Sequence, residues 1–232
     1  MKHPQGTTGF TVALTNRRAT GIAAATLVGY ATVFLIVIFS GRFGPLAIDS
    51  SWNSAMQSMQ VPVLTGVALV LNLVGGTVIS GLLIPVLLSV VLLVRHRYMS
   101  ALFLITASAV CAGAVQVIKT LVARPRPEDM MVTSDSGSFP SGHSANAIVI
   151  VLVLVLLLAQ TRWMRYAGAA YILLMMWSRT YLHAHWITDT IGGVLLGATV
   201  TLLVWVGFSQ RVSAELSNHR DGDPPVPPVR TE

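Results

Sequence analysis

Three short segments hold the side chains whose types and spacing suit chemistry: KTLVARPRP (119–127), FPSGHS (139–144) and SRTYLHAHWITD (178–189). Lys119, Arg126 and Arg179 supply fixed positive charge, and the arginine fork matches the oxygens of a phosphate group. Ser141 and Gly142 open the apolar run that follows them, and a helix start offers unpaired N–H groups and a dipole that favours negative charge. Glycine there lets an anion approach closely. His185 and Asp189 are four residues apart, so on a helix they share a face. Asp189 can then hold one ring nitrogen while the other attacks phosphorus. His143, beside the phosphate-binding turn, is placed to protonate a leaving oxygen as general acid.

Metal-assisted chemistry usually needs several carboxylates or a closed set of histidines. Asp189 is the one acid well placed for it, because Glu128, Asp129 and Asp135 fall in the linker between the first two segments. The fixed cations can do a metal's work, so no metal and no cofactor are expected.

The elements that must position these groups are apolar helices. The chain is 53% hydrophobic and 10% charged, against roughly 25% charged residues in soluble domains, which marks a membrane protein. Apolar stretches lie near 20–40, 61–94, 101–118, 145–159, 166–178 and 187–208, and a spanning helix needs roughly 17 to 25 residues. The second stretch is too long for one span and is broken at Gly75-Gly76, so 76–94 is expected to cross. The part at 52–74, with Gln57, Gln60 and Asn72, is expected to lie on or dip into one face. The fold class is therefore all-α: an integral-membrane bundle of six transmembrane helices with a short interfacial helix before the second span. The expected organisation is a cytoplasmic segment at 1–19, a transmembrane domain at 20–209 and a disordered, proline-rich cytoplasmic tail at 210–232. No cleavage site follows the first run, so it reads as a retained anchor.

Cytoplasmic loops collect Lys and Arg. Lys2, Arg17, Arg18, Arg95, Arg97, Arg162, Arg165, Arg211, Arg220 and Arg230 all fall on one side of a six-span chain, which places both termini in the cytoplasm. That bias explains most of the net charge of +6, and no nucleic-acid module is visible. Arg42, Lys119, Arg124, Arg126 and Arg179 remain on the outer side with His143, His183 and His185. Ionisable groups at membrane depth face a cavity or each other, so the three segments are expected to form one outer pocket. Arg42, Asp49 and His183 are read without a functional role, and Cys111 as a small buried residue. Trp163, Trp186 and Trp205 read as interfacial or packing residues, Gly192, Gly193 and Gly197 as a close helix contact, and Pro85 as a kink.

In order and internal spacing, the segments resemble the signature of the type 2 phosphatidic acid phosphatase superfamily, which also contains the vanadium haloperoxidases. K-x6-R-P stands at Lys119 and Arg126-Pro127, P-S-G-H at Pro140 to His143, and S-R-x5-H-x3-D at Ser178, Arg179, His185 and Asp189. The resemblance covers roughly residues 50 to 208. It implies a six-helix, metal-independent phosphatase in which His185 becomes phosphohistidine, Asp189 orients it and His143 assists the leaving group. Lys119, Arg126, Ser141, Gly142 and Arg179 would bind phosphate. The chain departs from the pattern in a second Arg-Pro pair, where Arg124 is a candidate auxiliary ligand, and in Ile187, where relatives often have proline. The 128–139 linker is too short for an outer lid domain, so the pocket would open toward lipid headgroups.

The expected function is a lipid phosphatase acting on the extracytoplasmic side, with a membrane lipid phosphate and water as partners. A polyprenyl (undecaprenyl or decaprenyl) diphosphate is the first choice of substrate, with phosphatidylglycerophosphate or phosphatidic acid as alternatives. A vanadate-dependent haloperoxidase shares the pocket but is disfavoured. A lipid-phosphate transporter or binding protein is the rival of another class.

Overall fold

A computed structural model describes residues 15–40, 44–76, 78–134, 137–158 and 161–221. Lys2, His3, Arg42, Asp135 and Arg230 lie outside the described residues, as do 1–14 and 222–232 of the two expected cytoplasmic segments. The described residues form helices and connecting turns with no strand. The helices are α1 (Asn16–Ser40), α2 (Ala47–Ser58), α3 (Pro62–Gly75), α4 (Ile84–Val94), α5 (Tyr98–Val122), α6 (Gly142–Leu158), α7 (Arg162–Tyr181) and α8 (Ile187–Asp221). Four stretches are long and apolar enough to cross a bilayer: Asn16–Phe39, Pro62–Val94, Tyr98–Val122 and Ile187–Ser217, with α6 a shorter apolar helix. Large apolar side chains such as Phe39, Val63 and Leu121 point outward, as a bundle solvated by lipid requires.

Helix α8 is the hub, packing against α1, α5 and α6. Its contact with α6 depends on the glycines. A Cβ at Gly193 would stand 2.4 Å from the Ser141 carbonyl oxygen, and one at Gly197 would stand 2.7 Å from that of Ala145. Small residues one turn apart thus let two backbones approach, as is common between membrane helices. Farther along, Glu215 of α8 accepts from Met99 N at 2.6 Å, Ser100 N at 3.0 Å and Ser100 Oγ at 2.7 Å. The first N–H groups of a helix have no intrahelical partner, and α5 gets its cap from α8. Trp205 is buried, edge-on to Phe103 with ring centroids 5.3 Å apart, whereas Trp163 is exposed.

Residues 52–74 depart from the single helix expected. They form two helices interrupted at 59–61, where Val61 is extended and Pro62 starts α3, a position that suits proline's missing N–H. Helix α3 stands against α7, with Ser178 Oγ donating to Ala68 O at 2.9 Å and Val61 N donating to Tyr181 Oη at 2.9 Å. The distortion expected at Pro85 is a π turn at Ile79–Leu83, just before it. Pro85 cannot donate to the preceding turn and its ring crowds it, and the wider turn absorbs both effects. At the other end, α8 continues to Asp221, beyond the boundary expected at 209. Val212 and Leu216 pack into the core there, which keeps the helix attached.

Gly193→Val should force apart the start of α6 and α8 at a cost of about 1–3 kcal/mol. Gly207→Val, where a Cβ meets nothing within 4 Å, should be tolerated. Thermal unfolding of both variants in detergent checks this: a lower midpoint for the first and an unchanged one for the second.

Candidate active site

Turns, caps and backbone hydrogen bonds bring the three segments together. Helix α5 holds Lys119 in its last turn and stops at Ala123, whose φ of 45 turns the chain sharply. Pro125 and Pro127 prevent helix from resuming. Ser138 then ties the returning linker to this stretch, its N–H donating to Arg124 O at 2.8 Å and its hydroxyl to Pro125 O at 3.1 Å. Gly137, at φ +65, brings its backbone close against the end of α5. Its carbonyl accepts from Lys119 Nζ at 3.2 Å and Arg126 Nη2 at 2.9 Å.

Ser141 caps α6. Its hydroxyl lies 3.4 Å from Ser144 N, and its carbonyl accepts from Ala145 N at 3.0 Å. The Ser141 N–H, expected to face phosphate, instead donates to the Asp189 carbonyl at 3.0 Å, because the close glycine contact brings α8 within reach. Gly142 and His143 line the cavity. His143 Nε2 donates to Asn72 O at 3.2 Å, and the Asn72 side-chain oxygen receives Arg179 Nη1. One residue of α3 therefore sets both groups.

The turn 182–186 presents His185. The Arg179 carbonyl accepts from Ala184 N at 3.1 Å and His185 N at 3.2 Å. His185 is not on the helix with Asp189, as the four-residue spacing suggests, because α8 begins at Ile187. Asp189 Oδ2 reaches back to Trp186 N at 2.9 Å, the arrangement that starts a helix. The same oxygen lies 3.6 Å from His185 Nδ1, an ion-pair distance longer than a hydrogen bond. His185 Nε2 is 3.3 Å from Arg126 Nη1, whose guanidinium also donates to Ala184 O.

Lys119, Gly142, His143, Arg179 and His185 share a cavity of about 330 Å³, with Asn72, Gln116 and Asn146 on its wall. Ser141 is buried beneath it, and Arg126 lies between His185 and a second cavity of about 470 Å³ that includes Asp129 and Trp186. Burial, then the positive charges of Arg179, Arg126 and Lys119, hold the His185 imidazole well below its usual range. The ring is therefore neutral at physiological pH, with Arg126 Nη1 beside its Nε2. Among the described residues, no three His, Cys, Asp or Glu side chains gather in a way that could hold a metal ion.

Arg124 does not line this cavity. It is buried behind His185 and paired with Asp49 and Asp189, which corrects its reading as an auxiliary phosphate ligand. His183 is equally buried and ties α2 to the 182–186 turn and the linker. Its Nδ1 donates to Asn53 Oδ1 at 2.6 Å and lies 3.1 Å from Asp129 Oδ2, while Gln60 Nε2 donates to its Nε2 at 2.6 Å. Burial lowers the His183 pKa, partly offset by Asp129. Sequence reasoning missed Asn72 and Asp49 as parts of the site. A lone amide in an otherwise apolar helix was the available signal for Asn72. An acid three residues into α2 was the signal for Asp49, though neither points to its distant partners.

The sequence pattern of the PAP2 superfamily matches residues 97–213. The phosphatidylglycerophosphatase B of Bacillus subtilis is 34% identical over 106 residues, 42% of this chain and 52% of that protein. The undecaprenyl-diphosphatase of Sulfolobus acidocaldarius is 34% identical over 84 residues, 36% of each chain. The chain thus matches about half the length of the first relative and about a third of the second. The crystal structure of a transmembrane PAP2-type phosphatidylglycerolphosphate phosphatase from B. subtilis shares the fold, with TM-score 0.69 at 24% identity over 82% of this chain and 96% of that one. Aquifex aeolicus LpxE does so with TM-score 0.60 at 22% identity over 68% and 95%.

His183 and His185 have lowered pKa values in the folded protein, whereas the unfolded chain protonates them near pH 6.5. Below about that pH the unfolded chain binds more protons, so this contribution to stability is present above it and lost on acidification. The unfolding midpoint in detergent should fall between about pH 7 and about pH 5, and His183→Gln should shrink the fall. Equal slopes for variant and wild type would contradict this.

Proposed function

The chain belongs to the PAP2 superfamily, and from that premise we propose that it is an integral-membrane lipid phosphatase working through a phosphohistidine. The observation that carries the reading is the cavity in which His143 and His185, on separate elements, face a common space with Lys119 and Arg179 on its wall. His185 Nε2 attacks phosphorus in line with the leaving oxygen. Lys119, Arg126, Arg179 and the first amides of α6 hold the charge that develops on the phosphoryl oxygens. Asp189 orients the imidazole, His143 protonates the departing oxygen, and water then releases phosphate from His185.

The substrate we propose is a polyprenyl diphosphate, and the name of the Sulfolobus relative supports it. Phosphatidylglycerophosphate is the second reading, favoured by the name of the Bacillus relative. In the topology we propose, α1, the π turn with α4, α5, α6, α7 and α8 make six crossings. Both termini are then cytoplasmic and the site opens on the outer side, with α2 at that surface. The charge bias of Arg17, Arg18, Arg95, Arg97, Arg162 and Arg165 supports this orientation.

Purified protein with EDTA present should release inorganic phosphate from polyprenyl diphosphate faster than from phosphatidylglycerophosphate. His185→Ala should fall to background, and His143→Gln should lose roughly 100- to 10,000-fold. Turnover surviving His185→Ala would point to another nucleophile, and uptake or binding without turnover in wild type would favour a carrier. A cysteine placed at Thr133 should react with a membrane-impermeant maleimide on intact cells; protection there would refute the outer-facing site.

A further inference from the structure

Behind His185, away from the cavity, two acids and one arginine form a closed cluster. Asp49 and Asp189 are each the third residue of a helix, α2 and α8. Each carboxylate reaches back to a backbone N–H at its helix start: Asp49 Oδ2 accepts from Leu46 N at 3.0 Å, and Asp189 Oδ2 from Trp186 N at 2.9 Å. Arg124 lies between them, its Nη2 2.6 Å from Asp49 Oδ2 and its Nη1 paired with Asp189 Oδ1, with all three side chains fully buried. Thr188 closes the group. Its N–H donates to Asp49 Oδ1 at 3.0 Å, and its hydroxyl donates to the same oxygen at 2.9 Å while accepting from Arg124 Nη1 at 2.9 Å.

The charges decide what this arrangement does. Paired with Asp189 alone, Arg124 would cancel the carboxylate that faces His185. Asp49 adds a second negative charge, so the cluster keeps one net negative charge, with Asp189 Oδ2 3.6 Å from His185 Nδ1. When a bond forms from Nε2 to phosphorus and the bond to the leaving oxygen breaks, that oxygen takes the His143 proton. The imidazole, still carrying its Nδ1 hydrogen, becomes a cation. A net negative cluster behind the ring stabilises that cation, whereas a neutral pair would not.

We infer that Asp49 is a positioning residue for this reaction: it draws on Arg124 so that Asp189 stays aimed and charged toward His185. The inference rests on the phosphohistidine reading. It gives α2, which lies outside the stretch matched by the superfamily pattern, a task in the chemistry that it does not touch directly.

The test is the pH dependence of kcat, with KM followed in parallel, for phosphate release by the full-length protein in detergent. The acidic limb reports protonation of His185, which faces Lys119 of α5, His143 of α6, Arg179 of α7, Asp189 of α8 and Arg126 of the linker. Asp49→Asn removes a negative charge and should move the limb to lower pH. Arg124→Gln removes a positive charge and should move it to higher pH. Each should lower kcat about 10- to 100-fold with KM within about twofold. A purely structural role predicts no opposed movement, so limbs that stay put or shift together would overturn the inference. So would a rise in KM alone for Arg124→Gln, which would make Arg124 a phosphate ligand. If Asp49→Asn does not fold, Arg124→Lys decides. It keeps the charge but cannot fork between two acids, so kcat should fall while the limb stays at the wild-type position; a limb matching that of Arg124→Gln would overturn the inference. Wild-type protein that releases no phosphate would instead mark failure of the functional reading itself.

Discussion

Lys119 and Arg126 come from one segment and Arg179 from another sixty residues on, and gathering three cations around His185 at the edge of an apolar bundle works against their mutual repulsion. Neutral oxygens fix them in place. The Gly137 carbonyl receives both Lys119 and Arg126, the Ala184 carbonyl receives Arg126, and the Asn72 amide receives Arg179. A carbonyl dipole orients a cation and leaves its charge intact. These oxygens are presented by the left-handed turn at Gly137, the tight loop before α8 and the placement of α3 against α7.

The same constraint divides the site into two electrostatic halves with His185 between them. Cations stand on its Nε2 side, and the cluster of Asp49, Arg124 and Asp189 stands on its Nδ1 side. Both acids sit at helix starts, where the dipole favours negative charge and the backbone N–H groups have carboxylate partners. Burial and the surrounding cations favour the neutral imidazole, with Arg126 beside its Nε2 and the Asp189 carboxylate 3.6 Å from its Nδ1.

Rigidity comes from the seam between α6 and α8. The Ser141 N–H is bonded to the Asp189 carbonyl, while the Ser141 carbonyl is in contact with Gly193. The start of α6 and the residue that carries the acid behind His185 are therefore tied directly to each other. Gly193 and Gly197 thus act by packing, letting the backbones of α6 and α8 approach.

The sequence alone determined the membrane class, the all-helical composition and the short-range chemistry: which cations, histidines and acid occur, and at what spacing. These were legible because hydropathy and motif spacing are local properties. Only the tertiary structure decided which way Arg124 points, that Asp49 pairs with it, that Asn72 meets both His143 and Arg179, that the Ser141 amide is engaged by α8, and that residues 52–74 form two helices. Each of these outcomes depends on a partner far along the chain, or on how a proline-interrupted segment turns between two packed helices. The direction of a side chain and the state of a backbone amide are settled by what packs against them, and no run of neighbouring residues carries that information.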